Sequence, residues 1–193
     1  MARQSHFTCL AFEFNKMGSP TFLSEPLGQH QRMFVGTAKG KLLQLSYQDR
    51  RVQAVFQLHN EAITSICANE GFVVTASADR YIRVWPLDFK SFYLHAMHDA
   101  PLAGVDITVD GLQVLCSTVD GAVGLLDMQS HQYSDLVHAH AAPIADTAVS
   151  PSLGELATAS CDGTLKIWSL ESTTQTHEFS IADDTPRSVA FHP

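Results

Sequence analysis

Histidine, threonine and aspartate recur in this chain in a pattern suited to acid–base chemistry. His59, Thr75 and Asp79 supply the imidazole, hydroxyl and carboxylate of a nucleophilic triad, and His140, Thr158 and Asp162 supply them again at closely matching spacing. Two histidine pairs, His95-x-x-His98 and His138-x-His140, raise metal binding as a second chemistry. The surrounding residues favour neither. A catalytic centre occurs once, whereas this trio occurs twice, as a scaffold hydrogen-bond network would. Each histidine pair joins a repeated position to a loop residue, with no Cys or carboxylate cluster at tetrahedral spacing. No Gly-x-Gly-x-x-Gly, phosphate loop, Gly-x-Ser-x-Gly or His-Glu-x-x-His is present. The sequence therefore predicts no enzyme, no cofactor, no metal and no small-molecule substrate.

The elements that carry these residues repeat. Val74-Thr-Ala-Ser-Ala-Asp-Arg-Tyr-Ile-Arg-Val-Trp85 and Ala157-Thr-Ala-Ser-Cys-Asp-Gly-Thr-Leu-Lys-Ile-Trp168 superpose without a gap, with Leu115-Cys-Ser-Thr-Val-Asp-Gly-Ala-Val-Gly-Leu-Leu126 between them. Asp79, Asp120 and Asp162 are 41 and 42 residues apart, and His59, His98 and His140 are 39 and 42 apart. A weaker copy, Val35-Gly-Thr-Ala-Lys-Gly-Lys-Leu-Leu-Gln-Leu45, has Lys39 in the aspartate position. Runs of Val, Ile, Leu, Thr and Phe broken by Asp-Gly, Asn-Glu-Gly and Ser-Pro turns read as short β-strands, and no amphipathic helix competes. Four strands in about 41 residues make one blade of a β-propeller, whose sheets are covered on both faces by their neighbours. Phe89, Phe92 and Tyr93 are expected to pack in the core or between blades, with a partner-binding patch as the alternative, and Thr37-Ala-Lys-Gly-Lys41 is expected to be a plain hairpin turn.

These residues resemble the WD40-repeat family, with a His near the start of each unit and a Trp six residues after a turn Asp, as in Asp79 to Trp85 and Asp162 to Trp168. The Trp-Asp dipeptide of that family appears here as Trp85-Pro86, Leu126-Asp127, Trp168-Ser169 and Leu45-Ser46. The resemblance implies an all-β propeller of about four blades plus the first strand of a fifth, an incomplete ring. Its units are a degenerate first blade at 1–58 with an inserted loop at 15–31, a WD repeat at 59–97, a degenerate repeat at 98–139, a WD repeat at 140–182 and the start of a truncated repeat at 183–193. It also implies a buried chain from Trp indole to Thr hydroxyl to His to Asp, which maps onto His59, Thr75, Asp79 and Trp85 and onto His140, Thr158, Asp162 and Trp168. His98 and Asp120 keep their places in the third unit, but Cys116 and Leu126 replace the hydroxyl and the indole, which predicts a weaker blade.

The function implied is a non-catalytic scaffold for protein–protein contacts. Val73 to Phe89, with Pro86 directly after Trp85, is similar to family members of the centriole wall and the ciliary microtubule inner junction, as are Asp110 to Leu115, Gly154 to Thr158 and Val189 to Pro193. That likeness implies a part in centriole wall integrity and cilium assembly. The partners would be centriolar or ciliary junction proteins, with tubulin met indirectly. The location would be the cytoplasm and cytoskeleton, at the centriole or cilium base. A WD40 adaptor of another pathway, such as a ubiquitin-ligase substrate receptor or a signalling hub, is the alternative that the repeat leaves open. Asn60, Glu61, Asp99 and Asp183 lie between units and are the candidate partner-facing rim.

Composition agrees with this class. The 193 residues are 45% hydrophobic, enough for a real core. Twelve Lys and Arg stand against twenty Asp and Glu, a net charge of -8, so neither nucleic acid nor an anionic membrane is an expected partner. No apolar stretch reaches membrane-spanning length, and the chain is expected to be soluble and non-secreted. Cys9, Cys67, Cys116 and Cys161 lie in apolar, strand-like runs and are expected to be reduced, buried thiols.

Overall fold

Runs of β-branched and aromatic residues pack well on a pleated surface, and in this chain each run forms a strand. The computed structural model describes residues 6–12, 32–46, 49–69, 71–150, 154–180 and 184–192. Among them are sixteen strands and no helix. The first sheet contains β1 (Phe7–Phe12), β2 (Arg32–Thr37), β3 (Lys41–Ser46) and β4 (Arg51–Gln57), and the second β5 (Ile63–Ala68), β6 (Phe72–Ser77), β7 (Tyr81–Pro86) and β8 (Leu94–Met97). The third contains β9 (Leu102–Ile107), β10 (Gln113–Thr118), β11 (Ala122–Asp127) and β12 (Tyr133–His138), and the fourth β13 (Ile144–Val149), β14 (Glu155–Ser160), β15 (Thr164–Ser169) and β16 (Thr174–Ser180). Each sheet is an antiparallel meander in chain order. Contacts link β1 to β5, β5 to β9 and β9 to β13, so the sheets fan out from their first strands as propeller blades.

Burial on both faces accounts for the near-continuous apolar strands. Val73 and Val74 are adjacent on β6 and both have 0% exposure, although successive side chains point to opposite faces. Val73 packs with Phe34, Leu42 and Trp85 toward the first blade, while Val74 packs with Leu102, Val114 and Leu126 of the third. Val114 and Leu115 divide in the same way, Leu115 joining Val123, Ile144 and Leu156 toward the fourth blade. Each such buried Val or Leu is worth about 1.5–3 kcal/mol relative to exposure.

The architecture is all-β, with four four-stranded propeller blades and, among the described residues, a ring that is not closed. On the fourth blade every residue of β16 is exposed and β15 is only half-buried, because among the described residues no further blade covers that face. The segment 184–192, expected to be the opening strand of a fifth blade, has no ladder partner and is not a strand. The inserted loop at 15–31 lies outside the described residues, as does Asp183. Of the four cysteines only Cys116 is buried; Cys9 and Cys67 are half-buried, and Cys161 is exposed because it falls in the turn after β14 rather than in the strand. Phe89 is buried against Phe34 and Phe56, but Phe92 and Tyr93 are 44% and 62% exposed beyond the end of β7. Thr37 closes the β2–β3 turn by donating to Lys41 O and accepting from Lys41 N–H, a hairpin turn. Among the described residues no helix is long and apolar enough to cross a membrane.

Candidate functional site

Each repeat histidine is placed by the blade before it. His59 N–H donates to Gly40 O, His98 N–H to Arg80 O and His140 N–H to Gly121 O, each at 3.0 Å. These carbonyls belong to the tight turns between the second and third strands. Gly40 and Gly121 have φ of 71° and 90°, the left-handed region where a Cβ is costly. A Cβ on Gly121 would lie 2.5 Å from His140 O. Arg80 takes the equivalent position at φ 72° without that relief.

In the second blade the four predicted residues meet. The Trp85 indole N–H donates to Thr75 Oγ1 at 2.9 Å, Thr75 Oγ1 and His59 Nε2 lie 2.7 Å apart, and His59 Nδ1 lies 3.0 Å from both carboxylate oxygens of Asp79. Thr75 therefore accepts from the indole and donates to Nε2, which leaves Nδ1–H to donate to the carboxylate. Burial lowers the His59 pKa to about 4 against the pull of Asp79, with Arg83 adding to the lowering, so the ring is neutral at pH 7. For Asp79, burial works upward, but His59 and the backbone N–H groups of Tyr81 and Asn60 outweigh it and hold the carboxyl below its usual range.

The fourth blade repeats the arrangement. Trp168 donates to Thr158 at 3.0 Å, Thr158 lies 2.7 Å from His140 Nε2, and His140 Nδ1 lies 3.1 Å from Asp162. Burial again lowers the histidine pKa. Asp162 is held well below the usual carboxylate range: burial opposes this, but the Thr164 hydroxyl and N–H and the Ala141 N–H all donate to it.

The third blade is wired differently. Among the described residues no hydrogen bond joins His98 to Asp120. His98 Nδ1 accepts from Ala100 N–H at 3.1 Å, and Nε2 faces Asp135 Oδ1 at 3.1 Å without hydrogen-bond alignment. Asp120 accepts instead from the Thr118 hydroxyl. Leu126 is buried in the apolar cluster, and Tyr133 of β12 brings its hydroxyl to 3.4 Å from Cys116 Sγ and its ring edge-on to His98. Gly124 makes the room: a Cβ there would stand 2.6 Å from Tyr133 Cζ and 2.9 Å from Cys116 Sγ. Tyr133 thus occupies space that an indole fills in the neighbouring blades.

The clusters are closed to solvent. Thr75 and Thr158 are 0% exposed, and a hydroxyl shut away from solvent does not meet a substrate. Among the described residues no three His, Cys, Asp or Glu side chains are grouped to hold a metal ion. Burial pushes the Cys67 thiol up to about 12 and Cys116 up to about 11, away from reactive thiolates. Asn60, Glu61 and Asp99 are exposed in the links between blades. Sequence reasoning missed Arg83, whose guanidinium donates to Leu58 O at 2.7 Å and to Asp79 at 3.4 Å. The signal was present, because Lys166 follows Asp162 at the same interval of four, and there it pairs with Glu178. Tyr133 carried no comparable mark.

Comparison with known proteins agrees with the repeat. The family model described as WD domain, G-beta repeat, matches residues 50–86 and 131–169. WD repeat-containing protein 90 of mouse is 36% identical over 180 residues, 83% of this chain and 10% of the relative. Its human counterpart is 34% identical over 206 aligned positions, 97% of this chain and 11% of the relative. Centriole proteome protein 16 of Chlamydomonas reinhardtii is 35% identical over 109 residues, 56% of this chain and 5% of the relative. The chain spans about a tenth or less of the length of these relatives.

Proposed function

This is a WD40-repeat protein, and from that premise we propose that the chain is a non-catalytic scaffold in a centriolar or ciliary assembly, contributing to centriole wall integrity and cilium formation. The observation that carries this reading is similarity across nearly the whole chain to WD repeat-containing protein 90, joined by similarity to a protein named for the centriole proteome. The quartets around His59 and His140 serve as structural networks, since both are buried and built alike. Contacts with centriolar or ciliary junction proteins fall to the exposed links, with Asn60, Glu61 and Asp99 as rim residues, and tubulin is reached only through those partners. Its place is the cytoskeleton at the centriole or cilium base.

Proximity labelling with the intact protein in ciliated cells tests the reading. Centriolar or ciliary neighbours are expected, and a combined Asn60→Ala, Glu61→Ala, Asp99→Ala variant should lose a subset of them while melting within a few degrees of the parent. Recovery of diffuse cytosolic or nuclear neighbours alone would overturn the centriolar assignment.

A further inference from the structure

Polar side chains cross every junction between the first strands. From β1 the Thr8 hydroxyl donates to Ile63 O on β5, and Cys9 Sγ lies 3.6 Å from the same oxygen. From β5 the Cys67 thiol points at Asp106 Oδ1 on β9, 3.6 Å away. Asp106 in turn accepts Ile107 N–H on Oδ1 at 2.8 Å and reaches across to β13, where Oδ2 accepts Val149 N–H at 3.2 Å. Asp146 on β13 does the same with different residues. Its Oδ1 accepts Thr147 N–H at 2.9 Å, and its Oδ2 accepts Val189 N–H at 2.9 Å.

We infer that Asp106 and Asp146 are inter-blade clasps, each using one carboxylate oxygen to fix its own strand and the other to fix a backbone N–H 43 residues further on. The geometry excludes coincidence at the level of pattern. The two aspartates are not equivalent in the repeat, since Asp106 pairs with Leu115 in its sheet and Asp146 with Ala159, two residues nearer the histidine link. Yet the oxygen roles and the 43-residue reach are the same. With a unit step of 42 between His98 and His140, each clasp takes the residue one beyond its own counterpart in the following unit, which sets the stagger between neighbouring blades. The second clasp seats 184–192 against the first strand of the fourth blade, and Val189 and Phe191 are half-buried there. A carboxylate suits this task because backbone N–H donors to a charged acceptor make stronger bonds than neutral pairs.

Site-resolved amide hydrogen exchange on the full chain tests the inference. In Asp106→Ala the Val149 amide should exchange about tenfold faster or more, and in Asp146→Ala the Val189 amide should do so, with the amides of β6 and β7 within twofold of the parent in both. Asp106→Asn and Asp146→Asn keep one acceptor oxygen and are expected to show smaller increases at the same amides, which keeps the test open if an alanine variant unfolds. Unchanged exchange at Val149 and Val189 in folded variants, or acceleration spread evenly through the chain, would overturn the clasp.

Discussion

His59 has the partners of a catalytic histidine but is buried, and the structural role proposed for it has consequences for stability. Its neutral ring accepts from Thr75 and donates to Asp79, and burial keeps its folded pKa near 4 against about 6.5 for an unfolded histidine. A depressed folded value means that stability is fully present above pH 6.5 and is lost as pH falls from there toward 4, and His140, also lowered, acts in the same sense. Asp79 and Asp162 have folded values below those of free carboxylates, so they extend the loss into the ordinary carboxylate range and below. Denaturant melts are therefore expected to be flat between about pH 7 and 8 and to lose on the order of 2–3 kcal/mol by pH 4.5, with a shallower slope in His59→Gln; above about pH 8.5 the Cys67 and Cys116 thiols, whose folded values burial raises, begin a separate loss. An unchanged slope would contradict the assignment. Asp162→Ala should cost about 1–3 kcal/mol, because it strips acceptors from Ala141, Thr164 and His140, whereas the exposed Asp120 accepts from the Thr118 hydroxyl, which can turn to Ala122 O instead, so Asp120→Ala should cost under about 1 kcal/mol. The His, Thr, Asp and Trp pattern was legible in sequence because all four lie in one unit, with Thr to Asp and Asp to Trp at fixed steps of four and six and His 16 or 18 residues before Thr. Tyr133 was not, since its value depends on where β12 lays the ring over Gly124, and nothing local to residue 133 encodes that.

At the scale of the strand and turn, the sequence revealed most of what the fold uses. The 41–42-residue step placed the blades, and the continuous apolar runs such as Phe72-Val-Val-Thr-Ala signalled sheets covered on both faces. It did not reveal the third blade's repair. Cys116 and Leu126 read as losses, yet Tyr133 fills the space from β12, in room that Gly124 leaves by lacking a side chain. Gly124→Ala should accordingly lower the melting temperature by several degrees, as Tyr133 is forced off Cys116, and Tyr133→Phe should be milder, because only the 3.4 Å hydroxyl contact is lost. If the two variants melt alike, the packing role of the ring is misassigned. The turns offer the opposite experiment. Arg80 holds a left-handed backbone where Gly40 and Gly121 sit in the equivalent turns, so Arg80→Gly is expected to be neutral or to raise the melting temperature slightly, while Gly121→Ala should lower it.

At the scale of the 193-residue chain taken alone, the uncovered blade faces matter as much as the blades. Phe179, Leu10 and Val55 are about half exposed on terminal blades, and such uncovered apolar faces favour association. Sedimentation of the 193-residue chain should show concentration-dependent self-association that Phe179→Lys reduces. The number of blades in this chain was foreseeable from the repeats, whereas the seating of 184–192 on the fourth blade was not, because it depends on the Asp146 carboxylate rather than on a strand pattern. The two buried quartets are bonded alike, and the proposed structural role requires that they also act alike, which a catalytic role for one of them would not. The measurement that tests it most directly is thermal unfolding of Thr75→Val beside Thr158→Val, each removing the hydroxyl that links indole to imidazole. Both variants are predicted to lose about 1–3 kcal/mol of stability by comparable amounts. A variant that melts with the parent while abolishing a function would show that its hydroxyl is a reactive group, and would contradict the account.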